Sequence, residues 1–471
     1  MKKIKTILFL LIGFSVFSQQ VQWANKVIKF STDLGGKQNS VKRILGKPDV
    51  FPQAGISPNA WMTKNSLDGR EVVELGFEKP QTVKQIAIFE NVNSGCVMKI
   101  AVDNGSGKYE TVWTRKLDYK TPYYKASLST DRSYYFGKKR RKVHEAPEVF
   151  NPGIEYAILD NAVAGVVAVK VIFNFALYPG QKQIDAVGIS DSEIPIEAKI
   201  NTNNAFESLG DFTTIPLGDL NPTNPILSFD GVKLFFSVEN EVREDIYSAT
   251  KTANNSWSKP IKESELLNNN KVYNHLLASF KDYYLKGGAT YTNGTNETGF
   301  EILDPQFQLL QKIKIAAYNN YDDNASATMT KDQKTLILGI ETDMTQGGQD
   351  LYFSNKKEDG TYGLLQNLGK VVNSAGDEFL PQLLSDEKTL LFSSNGFSGY
   401  GDYDLFVTYR LDDSWKKWSE PINLGSKINN ENYDGSYFYD EKSETLYFIR
   451  YSDENSMLCT IKINKNELMK N

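Results

Sequence analysis

Residues 381–425 read PQLLSDEKTLLFSSNGFSGYGDYDLFVTYRLDDSWKKWSEPINLG, and this stretch decides the fold. A first strand runs into the turn Ser385-Asp386-Glu387-Lys388, and residues 389–393 make a second strand. The Gly-rich loop 395–401 leads to a third strand at 404–409. A polar hairpin then returns through Trp418-Ser419-Glu420-Pro421 to a short outer strand ending at Gly425. Aromatic and β-branched runs punctuated by Gly, Asp, Asn and Ser fit a twisted, half-buried antiparallel sheet with tight turns.

The unit recurs. Turn aspartates precede an apolar strand at Asp230, Asp282, Asp332, Asp386 and Asp440, at spacings of 52, 50, 54 and 54 residues. Third-strand echoes follow at 245–247 (DIY), 300–302 (FEI), 350–353 (DLYF), 404–406 (DLF) and 458–460 (LCT). Outer-strand echoes stand at 257–260 (WSKP), 364–369 (LLQNLG) and 418–425 (WSEPINLG). Four strands repeating near every 50 residues predict a β-propeller, because each blade buries its neighbour's apolar face. The last unit, from Asp434, shows three strands only, so its outer strand is expected from the region 194–217, where FTTIPLG echoes the pattern. Closing the ring that way removes two exposed sheet edges. It gives five blades, or six if residues 194–220 hold a partial blade.

These repeats resemble the WD40-like, TolB-type propeller repeats of bacterial envelope proteins. That pattern is S-P-D-G-K-T-L-Y-F, then G-G-x-D-I-Y, then W-x-x-P-x-N-L-G. Residues 381–425 match nearly throughout, and the Asp332 unit matches through GGQDLYF and QNLGKVVNSAGDE. The Asp282 unit departs, with no tryptophan and no D-G-K turn. The resemblance covers about 201–471 and implies a fold, not an activity, since propellers host enzymes and scaffolds alike.

The chain opens MKKIKTILFLLIGFSVFSQQ, with Lys2, Lys3 and Lys5 ahead of an apolar run at 7–17. That reads as a secretory signal peptide over residues 1–20, cleaved near Ser18 and too short to span a bilayer. It predicts export to the periplasm or an outer-membrane-associated site, and the absence of a cysteine there gives no support to a lipid anchor. No later segment is apolar for long enough to cross a membrane. Cleavage removes three lysines and no acid, taking the formal net charge from −5 to −8 and arguing against a nucleic-acid partner. The two cysteines, Cys96 and Cys459, sit in different domains among apolar neighbours and read as isolated buried thiols; a disulfide between them is the other arithmetical option.

Residues 21–193 are expected to form a separate all-β domain, a jelly-roll sandwich with an insertion at 117–150. Strands are predicted at 72–75, 83–89, 97–102, 109–113 and 166–175. The segments ANKVIKF (24–30), LGKPD (45–49), Ala60-Trp61, ELGF (74–77), IAIFE (86–90) and IDAVGI (184–189) resemble the signals of discoidin-type, galactose-binding-like jelly rolls. That resemblance implies glycan, lipid or protein binding through variable loops, with no ligand residue to carry over.

His144 and His275 are the only histidines, and neither stands near a cysteine or in an H-E-x-x-H setting, so neither a metal site nor a Ser-His-Asp triad is expected, and no cofactor. Carboxylates remain. Asp322, Asp323, Asp377, Glu378 and Asp434 lie on connections entering the innermost strands, and the loops on the same face bring Asp402, Tyr400 and Tyr433. One propeller face is therefore acidic and aromatic. Two acids at the right separation in a central funnel would make a glycosidase. However, N-x-x-x-D/E recurs at 373–377 and, from Asn429 or Asn430, at Asp434, and repetition favours loop fixing by Asn and Asp, because a catalytic acid need occur only once. The Asp103-Asn104-Gly105-Ser106-Gly107 run reads as a hairpin turn rather than a calcium loop. The basic run Lys138, Lys139, Arg140, Arg141 and Lys142 reads as a solvated loop or a docking contact for an anionic surface. The resulting expectation is a non-enzymatic envelope binding or scaffold protein, partnered with an outer-membrane protein or a secretion translocon. The alternatives are a carbohydrate-binding protein and a glycoside hydrolase.

Overall fold

The computed structural model describes residues 19–116, 126–127, 133–136, 139–142, 149–240, 243–254, 256–288, 297–322, 324–452 and 455–469. The expected signal peptide core, Lys138 and Asp323 lie outside them. The architecture is all-β, with two four-residue α-helices, Asn204–Glu207 and Lys465–Leu468, and short 3-10 turns among the described residues.

Five four-stranded antiparallel sheets follow one another from Pro222 and form a five-bladed propeller. The fourth blade has strands Glu378–Leu383, Thr389–Ser394, Asp404–Tyr409 and Ile422–Asn423, close to the bounds expected from the sequence. Its second strand is apolar without alternation because both faces are covered. Leu390 and Phe392 pack with Ile337, Leu351 and Phe353 of the third blade, while Leu391 packs with Tyr439, Leu446 and Ile461 of the fifth. Trp415 and Trp418 close the first of these layers.

In three blades the turn aspartate holds the first hairpin. Asp230, Asp332 and Asp386 accept the backbone N–H two residues on, at 3.0–3.1 Å, an Asx turn that leaves the following strand free to pair.

Ring closure occurs as expected. Thr213–Thr214 adds to the edge of Ser456–Lys462, with Thr213 opposite Thr460 and Thr214 opposite Cys459. Ile215 then donates its N–H to the Leu458 carbonyl at 2.8 Å and buries its side chain against Leu234 and Tyr447. No sixth blade forms among the described residues. Residues 204–207 instead make a short helix capped by Asn203, whose Phe206 is fully buried in the layer between the fourth and fifth blades. Gly425 lies at φ +84°, and a Cβ there would meet the Phe206 carbonyl at 2.9 Å, so the N-L-G glycine is required twice over.

Residues 21–190 form one seven-stranded antiparallel sheet. The ladders do not draw the two separate sheets of the expected jelly roll. Two long strands, Arg70–Glu90 and Gly153–Asn174, pair along their whole length, with register shifts between Ile158 and Ala168. Lys26–Phe30 joins the first half of Arg70–Glu90, and Ala186–Ser190 joins its second half. The strands expected separately at 72–75 and 83–89 are thus one. Asp103 accepts the N–H groups of Gly105 and Gly107 at 2.9 and 3.0 Å, as a hairpin turn requires. Cys96 and Cys459 are both buried and unpaired.

Candidate functional site

The connections between blades are fixed by asparagine. Asn373 accepts the Leu351 N–H at 2.8 Å and donates to the Leu351 carbonyl at 3.0 Å; Asn429 repeats this on Leu405 and Asn268 on Ile246. Each amide thus ties a connection to the start of a third strand. The acid that follows turns back onto the same loop. Glu378 accepts the Ser374 N–H and the hydroxyls of Ser374 and Ser394 at 2.6–2.8 Å, and Asp434 accepts the Asn430 N–H at 2.5 Å.

Both carboxyls are buried, and burial pushes each up to about 8. Asp350 adds repulsion at Glu378, and Arg450, 3.4 Å away, partly offsets the rise at Asp434. Two of the candidate acids are therefore internal to the loops. Tyr400 also departs from the mouth: its hydroxyl donates to Glu207 at 2.7 Å, on the segment that enters the propeller.

The remaining candidates gather. Asp377 accepts the Tyr403 hydroxyl at 2.7 Å and the Gln349 N–H at 2.8 Å. The Tyr403 ring meets Phe379 and Tyr433 edge-on, both at 5.1 Å, and Tyr433 meets Tyr451 edge-on at 5.2 Å. Burial raises the Tyr403 and Tyr433 phenols, with Asp377 and Asp402 pushing the same way, so both stay protonated donors. Burial first, then Asp322 and Asp377, raises Glu341, while the Asp322 carboxylate accepts the Asn324 N–H of its own loop at 2.7 Å. Asp402 is exposed. Phe379, Tyr403, Tyr451 and Glu341 were not singled out from sequence. The usable signal was Tyr403 between Asp402 and Asp404 in GDYD, bridged to Tyr433 in parallel fashion.

The centre of the ring leaves little free space. A cavity of about 30 Å³ is lined from all five innermost strands, by Ile226, Leu277, Ala327, Pro381 and Phe438 among others, and no lining residue is an acid.

Part of the same face is covered by the chain itself. Asn59 donates to the Gly396 carbonyl at 2.9 Å and accepts the Ala375 N–H at 2.8 Å, all buried. Arg43 donates to the Gln346 carbonyl at 3.1 Å, in the field of Asp49, Glu378 and Asp350, and Ser398 donates to the Phe51 carbonyl. The third and fourth blades thus seat residues 37–59 of the N-terminal sheet.

Four of the five basic residues, 139–142, are not in a loop. Lys139–Lys142 is a strand paired with Ser133–Phe136, so Arg140 stands opposite Tyr135 and Arg141 opposite Tyr134. The consecutive aromatics Tyr134, Tyr135 and Phe136, a strand-favouring run just before the cations, supply the partner strand.

Comparisons with family models and with curated proteins returned no match. Among solved structures the chain is similar to an endo-arabinase from Bacteroides thetaiotaomicron VPI-5482, at 17% identity and a TM-score of 0.36, over 54% of this chain and 98% of that one. It is similar to TolB from Acinetobacter baumannii at 13% identity and a TM-score of 0.32, over 51% and 54%. An alpha-L-arabinofuranosidase from Lactobacillus brevis matches at 12% identity and a TM-score of 0.33, over 54% and 94%.

Proposed function

We propose that the chain is a non-catalytic binding or scaffold protein of the cell envelope. In this reading the propeller mouth around Asp377, Asp402, Phe379, Tyr403 and Tyr433 receives a cationic surface of an outer-membrane or secretion-machinery protein. The observation that carries it is the gathering of an acid and aromatic rings at one mouth, Asp377 with Tyr403 and Tyr433, on a ring whose small central cavity has no acid in its lining. Aromatic rings with carboxylates at their edges suit arginine and lysine side chains of a partner. Export through residues 1–20 belongs to the same reading, as does periplasmic or outer-membrane residence.

The N-terminal sheet is read as a jelly-roll-like unit in which the long hairpin folds over itself. Its core supports this, because residues from both halves of Arg70–Glu90, Val73 and Leu75 with Ile86 and Ile88, share one apolar cluster. The seated loops 37–59 then fix this unit on the propeller and leave the mouth to the partner.

The competing reading is a glycoside hydrolase. It is tested by incubating the purified chain with a panel of neutral and acidic polysaccharides and measuring reducing-sugar release. No release is expected. Release that disappears in Asp377→Asn would replace the scaffold reading.

A further inference from the structure

Repeats invite comparison of equivalent positions, and one pair differs between adjacent blades. In the third blade, Lys334 of the first hairpin turn is paired with Asp332 at 2.9 Å. Lys356, at the end of the third strand, donates to Gln311 and Gln333, both at 3.4 Å, beside the Tyr362 ring. Lys356 bridges to Tyr362 as Arg410 bridges to Trp418 in the fourth blade, and Lys388 there occupies the place of Lys334.

The fourth-blade cations lack that company. Arg410 has a side chain only 12% exposed, and its Nε is buried with no hydrogen-bond partner. Its guanidinium stacks on Trp415 at 4.2 Å, and its one ion pair is a loose 3.7 Å contact with Asp413, itself fully exposed. Leaving the buried Nε–H unmet away from water is costly, and stacking on the indole does not satisfy it. Beside it lies an open cavity of about 650 Å³ lined by Lys388, Arg410, Leu411, Asp412 and Asp413 among others. That volume is in the range of small-ligand sites. The cavity lies at the turn end of the blade, opposite the mouth, because residues 385–388 join the first two strands while 395–401 join the second and third.

We propose that this cavity binds a hydroxylated monocarboxylate, the class to which uronic-acid sugars belong, with its carboxylate on Arg410 and Lys388. A planar guanidinium backed by an indole presents its fork to a planar carboxylate. Asp412 is held by Ser414 and Lys417, whereas Asp413, fully exposed and only loosely paired with Arg410, can turn to accept a ligand hydroxyl and repels a dianion such as phosphate. Leu411, 64% exposed, offers apolar area to a sugar ring.

The test is isothermal titration of the full chain with D-glucuronate, D-glucose and inorganic phosphate. Saturable glucuronate binding is expected, with none for glucose and weaker binding for phosphate. Arg410→Gln should weaken glucuronate at least about tenfold, the value of one charged hydrogen-bonded contact. Arg410→Lys, which keeps the charge and loses the fork, should fall between, and Lys388→Ala should bind less tightly with an unchanged melting temperature. No heat up to about 10 mM glucuronate, phosphate binding as tight as glucuronate, or equal binding by folded Lys388→Ala and Arg410→Lys chains overturns the assignment.

Discussion

Asn59 of the N-terminal sheet unit donates its side-chain N–H to the carbonyl of Gly396, 337 residues away, at 2.9 Å, in a contact closed to water. The other end of the same amide accepts the Ala375 N–H. One side chain therefore meets a donor and an acceptor on two loops of the propeller face.

Asn59→Ala leaves the Ala375 N–H and Gly396 carbonyl buried without partners. About 2 kcal/mol of local stability should be lost, since each orphaned group costs on the order of 1–3 kcal/mol. Hydrogen exchange should quicken at Ala375 and in residues 37–59, with the fifth blade unchanged. Unaltered exchange at Ala375 would show that the amide does not hold the two units together.

Glu378 and Asp434 give the fold a definite pH response. Glu378 rises from 4.5 to about 8 and Asp434 from 3.8 to about 8, each first because burial disfavours the charged form. The folded chain therefore keeps protons that the unfolded chain releases, so stability falls as pH rises from about 4.5 to about 8. Melting temperature should be higher at the acid end of that window, and Glu378→Gln should flatten the slope. A melting temperature rising steadily across the window would contradict the burial of these acids.

Asn373→Ala and Asn429→Ala each remove a two-pronged clamp on a third strand, from Leu351 and Leu405 respectively. Each should cost about 2 kcal/mol and lower the melting temperature by several degrees. Asn373→Asp keeps the acceptor only and should fall between Ala and wild type.

Ring closure rests on a short strand. Ile215→Asp places a carboxylate against Leu234 and Tyr447 and should release the edge of Ser456–Lys462. Light scattering should then show concentration-dependent association through that edge. A monomer of unchanged melting temperature would mean the strand is dispensable.

Burial holds Cys96 up at about 12 and Cys459 at about 11, so neither forms thiolate near neutral pH. A thiol reagent should titrate none in the native chain and both after denaturation.

The propeller was legible because its rules are local. Asp386 fixes its own turn, Leu390 to Phe392 declare a strand covered on both faces, and FTTIPLG resembles the strand it replaces. The N-terminal unit was less legible. Separate strands were expected at 72–75 and 83–89, yet Arg70–Glu90 runs through both because Gly153–Asn174 shadows it with bulges. The basic run from Lys139 looked like a loop because charge hid its pairing with Tyr134 and Tyr135. At the mouth, the repeated N-x-x-x-D/E spacing marked Asp377 and Asp434 for loop fixing. Asp434 does turn back onto Asn430, whereas at the other repeat the acid that does so is Glu378, and Asp377, one residue earlier, takes the Tyr403 hydroxyl. Arg43 and Asn59 act across some 300 residues, a pairing that no spacing rule reaches.

The most direct test of the scaffold reading is co-purification of a C-terminally tagged chain from native envelopes in mild detergent, with and without about 0.5 M salt, which screens exposed charge. The account predicts a stoichiometric envelope protein that is held at low salt, weakened at high salt, and lost when Asp402→Ala is combined with Tyr433→Ala. Recovery of the chain alone under both conditions would contradict it.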